Sequence, residues 1–263
     1  MKLAWITDPH LNFVSAADAD RLCESVIDSG ASALLVSGDI AEAHDVSSWL
    51  VYLSVAVSMP VYAVLGNHDY YGGSIQQVRA DVSATSAEDP GLTWLSESSA
   101  VWLTPTTALI GHGGWGDARL GEWLSSPVRL NDHRLIAELS GLPRTLLRQR
   151  LQALGDEAAA HLHRQLSQVT DAQQVIVLTH VPPFSGACWH EGATSGPDWL
   201  GDFTCQATGA VLARFALAHP NIQVRVFCGH SHSGGVYRRA ENLTVTTGAA
   251  EYGAPVLQPL IGV

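Results

Sequence analysis

Pro60-Val61-Tyr62-Ala63-Val64-Leu65-Gly66-Asn67-His68-Asp69 is the stretch on which the fold turns. Its apolar, β-branched first part reads as a buried strand. Gly66 lets the backbone turn sharply, and an amide, an imidazole and a carboxylate follow without a gap. Asn67 offers a neutral oxygen, His68 a nitrogen base and Asp69 an anchor for that base. Taken alone, such a tetrapeptide also serves as a polar turn after a strand, so its surroundings decide.

Upstream, Leu3 to Thr7 reads as a strand that stops at Asp8-Pro9-His10, because proline lacks an N–H and restricts the residue before it. Ser15-Ala16-Ala17-Asp18 opens a helix in the manner of a capping box. Leu22, Val26 and Ile27 give that helix its apolar face, and Gly30 ends it. Ala33 to Val36 is a second strand, leaving through Gly38-Asp39-Ile40-Ala41-Glu42, and a helix over Asp45 to Val57 leads back to Pro60. Strand, helix, strand, helix, strand implies parallel strands joined by right-handed crossovers. Ligands in such sheets gather beyond the carboxyl ends of the strands, where all three polar clusters lie.

Downstream, a helix is expected over Ser74 to Ala84 and short strands over Leu92 to Leu95 and Ala100 to Leu103. Thr104-Pro105-Thr106-Thr107 turns the chain into Ala108-Leu109-Ile110, which makes the sheet mixed. Asn131 to Val169 is mostly helical, with breaks expected near Pro143 and Gly155. Val175 to Thr179 is a buried strand ending at His180, followed by an irregular loop out to about Thr204; loops of that length are usually functional. Gln206 to His219 is helical. Val224 to Cys228 is a strand ending at Gly229-His230-Ser231-His232, and a hairpin around Val236 to Val245 follows.

The 263 residues suffice for one large α/β domain over 1–263, with a helical insertion at about 131–169 and a substrate-side loop at about 181–204. Hydrophobic residues make up 46% and charged residues 15%, which excludes a disordered chain or a coiled coil. The formal net charge of −11 argues against broad nucleic-acid binding but not against a phosphorylated substrate, since a metal can supply local positive charge. The N-terminus meets a charge too early for a signal peptide, and no apolar run is long enough for a membrane span. A cytoplasmic location without membrane attachment is expected, with Cys23, Cys188, Cys205 and Cys228 as buried free thiols.

The polar strand exits are Asp8-x-His10, Gly38-Asp39, Gly66-Asn67-His68-Asp69, His180 and Gly229-His230-x-His232. Each piece has a structural reading of its own, as a strand-end cap or a loop histidine. Together they recur in a fixed order, each directly after an apolar run. Oxygen and nitrogen donors without a thiolate suit Mn, Fe, Zn or Mg-type ions, and the groups exceed the needs of one ion.

As an ordered set, spanning residues 8 to 232, these motifs resemble the calcineurin-like metallophosphoesterase superfamily, including members of the class III cyclic-nucleotide phosphodiesterase type. The resemblance implies a four-layer α/β/β/α sandwich of two mixed sheets with a dinuclear metal site at the strand ends. It implies Asp8, His10 and His232 on one ion, Asn67, His180 and His230 on the other, and Asp39 bridging both. The expected cofactors are two divalent or trivalent transition-metal ions (Mn, Fe or Zn, with Mg an option). The implied reaction is hydrolysis of a small phosphodiester or phosphomonoester by a metal-bridging hydroxide, with His68 as the catalytic acid toward the leaving oxygen. Glu42 and Asp69 compete as the carboxylate that orients His68. His112, Trp115 and His190 are the candidate substrate contacts, each with a loop-packing reading beside it. A nuclease of the same superfamily is the nearer alternative. A non-catalytic metal-binding interaction scaffold is the alternative of another class, and the complete set of ligand positions weighs against it.

Overall fold

The computed structural model describes residues 1–263. In chain order the elements are β1 (Lys2–Ile6), α1 (Ala16–Asp28), β2 (Ala33–Ser37), α2 (Val46–Val57), β3 (Val61–Val64), α3 (Ile75–Glu88), β4 (Leu92–Trp94), β5 (Val101–Thr104) and β6 (Thr107–Gly111). They continue with α4 (Asp132–Leu135), α5 (Arg144–Leu166), β7 (Gln174–Leu178), β8 (Trp189–His190), β9 (Ala193–Thr194), α6 (Pro197–Phe203) and α7 (Gln206–Ala218). β10 (Gln223–Cys228), β11 (Gly235–Ala240), β12 (Leu243–Thr247) and β13 (Ile261–Gly262) complete the chain.

Two mixed sheets form, in the orders β13-β1-β2-β3-β4 and β11-β12-β10-β7-β6-β5. β1 to β4 pair in parallel and β13 closes on β1 antiparallel. In the second sheet β6, β7, β10 and β12 are parallel, with antiparallel strands at both edges.

The alternation of side chains along each strand produces four layers. Leu3 and Trp5 of β1 face the other sheet, where they join Leu109, Ile176, Leu178 and Phe227. Ala4 and Ile6 of the same strand face outward and pack with Leu22 and Val26 of α1 and Leu50 and Leu53 of α2. On the far side, Val175, Val177, Val224 and Val226 pack outward against Leu162 and Leu166 of α5 and Leu212 and Phe215 of α7. The expected α/β/β/α sandwich is therefore the fold. No helix is long and apolar enough to cross a membrane, and all four cysteines are free and buried.

Two local expectations are corrected. Gly155 does not interrupt α5; a Cβ there would lie 2.6 Å from Asp117 Cβ, so the glycine serves close packing inside a continuous helix. The long loop after His180 is not wholly irregular. Trp189-His190 and Ala193-Thr194 pair across Glu191 (φ 49°) and Gly192 (φ 80°), a type I′ turn geometry. Pro197, pre-set for the first helical position, then starts α6.

Candidate metal centre

Every polar strand exit ends at the same rim of the sandwich, and the exits lock one another. The Asp8 N–H donates to the Gly38 carbonyl at 3.1 Å, and the His10 N–H to the Asp39 carbonyl at 3.0 Å. The His180 N–H reaches the Gly113 carbonyl at 2.9 Å, and the Gly229 N–H reaches the His180 carbonyl at 3.0 Å. Asp8, His10, Asp39, His230 and His232 all have positive φ, between 41° and 72°. Non-glycine residues rarely adopt that region, and where they do the surrounding structure holds them there, commonly at functional sites.

Asp69 is part of this lock. Its Oδ1 accepts the N–H groups of Ile40 and Ala41 at 2.7 and 2.9 Å, and its Oδ2 accepts that of Gly66 at 2.8 Å. It thus ties the exit of β2 to the exit of β3. Burial and the nearby Asp39 push its carboxyl up to about 7, against the pull of these N–H donors. The motif glycines are needed for approach. A Cβ on Gly38 would lie 2.6 Å from the Gly66 nitrogen and 2.8 Å from His180 Nδ1.

The donors fall into two groups that share Asp39: Asp8, His10, Asp39 and His232, and Asp39, His180 and His230, each with its donor atoms within 4.8 Å of one another. In the first group His10 Nε2 and His232 Nε2 face each other at 3.3 Å, and His232 Nε2 lies 3.4 Å from Asp8 Oδ1. In the second, His180 Nε2 lies 3.1 Å from His230 Nδ1, 3.1 Å from Asn67 Oδ1 and 3.3 Å from Asp39 Oδ1. Ligands about 2.1 Å from one ion stand about 3.0–3.4 Å apart, so these spacings suit a cation shared by each group.

The remaining ring nitrogens fix which face is offered. His180 Nδ1–H donates to the Ser37 carbonyl at 2.9 Å and His230 Nε2–H to the Asp202 carbonyl at 3.2 Å. That leaves His180 Nε2 and His230 Nδ1 pointing at the centre, the usual way a backbone carbonyl orients a metal-ligating histidine. Asp8 is set by Thr7 Oγ1 and by the His230 N–H, 3.0 Å from its Oδ1.

The electrostatics suit a cation too. Burial brings His10 and His230 down to about 4, with the neighbouring His180 adding to the effect on His230, so both imidazoles are neutral and free to ligate. Burial also opposes charge on His180, but Asp39 and Asp8 outweigh it and raise this group to about 10. Asp39 is held well below the ordinary carboxylate value, since His180, His68 and His10 overcome its burial. In the metal-free protein a proton on His180 thus occupies the place of positive charge that a metal bound there would take.

His68 lies at the edge of this cluster, with its side chain 20% exposed and Nε2 4.0 Å from Asp39 Oδ2. Its backbone N–H donates to Asp39 Oδ1 at 2.8 Å. Neither expected carboxylate is bonded to its ring. Asp69 is engaged with backbone, as described, and Glu42 serves the start of α2, its carbonyl accepting the Asp45 and Val46 N–H groups. The imidazole instead stacks on Tyr71, with ring centres 4.2 Å apart and 29° between planes.

Of the expected substrate contacts, His190 lines the cavity above the centre, about 230 Å³ in volume. His112 and Trp115 are turned into the protein. The Gly114 N–H donates to His112 Nδ1 at 3.1 Å, the ring packs 5.5 Å from His161, and burial holds His112 neutral. Trp115 joins the core against Tyr70 at 5.5 Å. Several residues at the site lay beyond sequence reasoning. Tyr71 lies three residues after His68, but nothing in its sequence neighbourhood shows that its ring stacks on that imidazole. Asp132, of α4, accepts from Asn67 Nδ2 at 2.8 Å and from the Tyr71 hydroxyl at 2.6 Å. Tyr252, from the segment after β12, stacks on His10 at 4.3 Å and 30°. Phe203 of α6 packs 4.6 Å from the His230 ring.

Comparison with solved structures finds the same fold elsewhere. The phosphopantetheinyl hydrolase of Mycobacterium tuberculosis aligns with a TM-score of 0.67 at 16% identity, over 98% of this chain and 95% of that one. A dimetal phosphatase from Danio rerio aligns with a TM-score of 0.58 at 13% identity, over 94% and 86% of the two chains. A purple acid phosphatase from yellow lupin (Lupinus luteus) seeds aligns with a TM-score of 0.50 at 10% identity, over 98% of this chain and 45% of that one. At such identities the likeness is one of fold. Comparison with curated protein sequences gives no match. The sequence profile of the calcineurin-like phosphoesterases matches residues 1–234, which takes in every strand exit of the centre. The chain therefore belongs to the calcineurin-like phosphoesterase family and is a metal-dependent phosphoester hydrolase.

Proposed function

We propose that this protein hydrolyses a small phosphorylated molecule, a phosphomonoester or phosphodiester, at a centre of two transition-metal ions. The observation that carries this reading is the convergence of two donor groups on one shared carboxylate, Asp39, with the non-ligand imidazole of His68 beside them. Asp8, His10 and His232 would hold one ion and Asn67, His180 and His230 the other, with Asp39 between them. Mn, Fe or Zn suit these donors, and Mg is compatible. Bound there, the ions supply positive charge for the phosphoryl oxygens and a source of nucleophile at neutral pH.

The chain's own residues do the rest. His68 presents its imidazole to the cavity, where its Nε2 proton passes to the departing alcohol oxygen. Tyr71 beneath the ring limits its rotation. Phe203 packs against the His230 ring and keeps bulk water from that face. A cleft of about 230 Å³ on a chain of net charge −11 favours a small ester over a nucleic-acid duplex. The full complement of donors favours an enzyme over an interaction scaffold.

The test is metal analysis of the purified protein, joined to assays on chromogenic mono- and diesters with Mn, Fe, Zn or Mg added in turn. About two ions per chain and metal-dependent turnover are expected. Absence of metal together with no activity after Mn addition rejects the reading.

A further inference from the structure

Four aromatic side chains of this protein are more than a third exposed: Phe13 (55%), Trp102 (45%), Trp199 (43%) and Tyr252 (50%). Three of them border the metal centre. Tyr252 lies over His10 and is met edge-on by Phe13 at 5.6 Å and 88°. Trp199 belongs to α6 and rests against Phe203 at 5.5 Å. Large aromatic surface left in water on one side of an active site calls for an occupant.

A second hollow, about 440 Å³, opens beside the metal cavity and has both Tyr252 and Trp199 in its walls. The two spaces share His68, Tyr71, Leu130 and Tyr252, so His68 stands at their junction. The hollow's one guanidinium, that of Arg129, is bonded to the carbonyls of Ser126 and Val128 at 2.8 and 2.6 Å. No lysine lines the hollow.

We propose that this hollow is the subsite for the alcohol side of the substrate, and that it takes an uncharged, flat, apolar group held between Tyr252 and Trp199. The substrate class is then an aryl or arylmethyl phosphoester. The proposal rests on the phosphoesterase reading above. With the phosphoryl group over the metal centre, the ester oxygen that His68 protonates sits at the junction, and the rest of the alcohol has the hollow before it. In the reaction the bond from phosphorus to the alcohol oxygen breaks and a bond from phosphorus to water oxygen forms. The His68 proton leaves with the alcohol, and the proton lost by water replaces it. An alcohol carrying a second phosphate or a carboxylate would meet a single guanidinium in the hollow, that of Arg129, already donating through Nη1 to two backbone carbonyls, within a protein of net charge −11.

The test compares methyl, butyl, benzyl and 2-naphthylmethyl alcohols, whose oxygens differ little as leaving groups, each as its phosphate and its methyl phosphate diester, on Mn-loaded protein. From methyl to 2-naphthylmethyl, kcat/KM is expected to rise about 10- to 100-fold, chiefly through KM. In Trp199→Ala and in Tyr252→Ala the ratio between those two esters should fall toward one, and Trp199→Phe should restore most of it. Calorimetry with 2-naphthylmethylphosphonate against methylphosphonate gives the same comparison without turnover, and the same preference is expected. Equal kcat/KM across the series, or a preference that survives both alanine variants, overturns the subsite. Hydrolysis of none of the esters, with the phosphonate preference intact, instead overturns the phosphoesterase reading and leaves the aromatic subsite standing.

Discussion

Asn67 is held by Asp132: its amide nitrogen donates to Asp132 Oδ1 at 2.8 Å, which turns the amide oxygen toward His180 Nε2 at 3.1 Å. An amide can ligate a cation only through its oxygen. The carboxylate therefore decides which end of Asn67 faces the centre. Asp132 Oδ1 also accepts the Tyr71 hydroxyl at 2.6 Å, and the Tyr71 ring supports His68. One buried residue of α4 thus positions a proposed metal ligand and, through tyrosine, the proposed acid.

Loss of that anchor should appear first as loss of metal. Asp132→Ala is expected to weaken binding at the Asn67, His180 and His230 group by about 10- to 100-fold, the usual cost of removing a partner that orients a ligand. Titration of metal-free protein with Mn checks this, because the Asp8, His10 and His232 group should keep its affinity. Tyr71→Phe keeps the stacked ring and should cost less than Asp132→Ala.

His68 makes the opposite prediction. His68→Asn should lower turnover by about 10²- to 10⁴-fold while leaving metal content near that of the parent. Metal analysis and kcat on the same preparation decide it. Metal loss in this variant would make His68 a ligand, contrary to the role argued here.

Gly229 tests the crowding of the strand exits. A Cβ there would run into Thr7 Oγ1 and the Asp8 carboxylate, and the backbone at this glycine needs no left-handed conformation. Gly229→Ala therefore acts by contact alone. It is expected to displace Asp8 and to lower bound metal from about two ions per chain toward one, as read by elemental analysis, with the far-UV circular dichroism unchanged.

The metal-free protein should lose stability in alkali. His180 is raised from 6.5 to about 10, chiefly by Asp39 against its burial. Above pH 6.5 the folded state then binds a proton that the unfolded state does not, so stability from this pair is complete below about 6.5 and falls as pH rises through about 10. His232, also raised against its burial by Asp8, adds to the same limb. Melting curves of metal-free protein from neutral to alkaline pH should show the decline. His180→Gln should flatten it, and saturating Mn should remove it by taking the place of the proton.

The fold and the convergence of the candidate donors were legible because they are written locally. Each candidate donor lies at the exit of an apolar run, and the alternation in Leu3-Ala4-Trp5-Ile6 divides one face for the helices from one for the other sheet. What stayed illegible depends on distant segments meeting. Asp132 and Tyr252 carry no signal beside them in the chain, and only the packing of α4 and of the segment after β12 brings them to the site. His112 and Trp115 sit at a strand exit like the ligands, yet the chain turns them inward, where His161 and Tyr70 receive them. The β8–β9 turn escaped because Glu191 takes a left-handed conformation that its side chain does not advertise.

Each donor group draws on both sheets, the first joining Asp8 and His10 after β1 to His232 after β10. A ribosome must therefore release nearly the whole chain before either donor group is complete. An emerging fragment can form β1 to β4 and their helices while holding only half a coordination sphere. If these groups hold the ions as proposed, metal would be acquired by the assembled sandwich and not by the nascent chain.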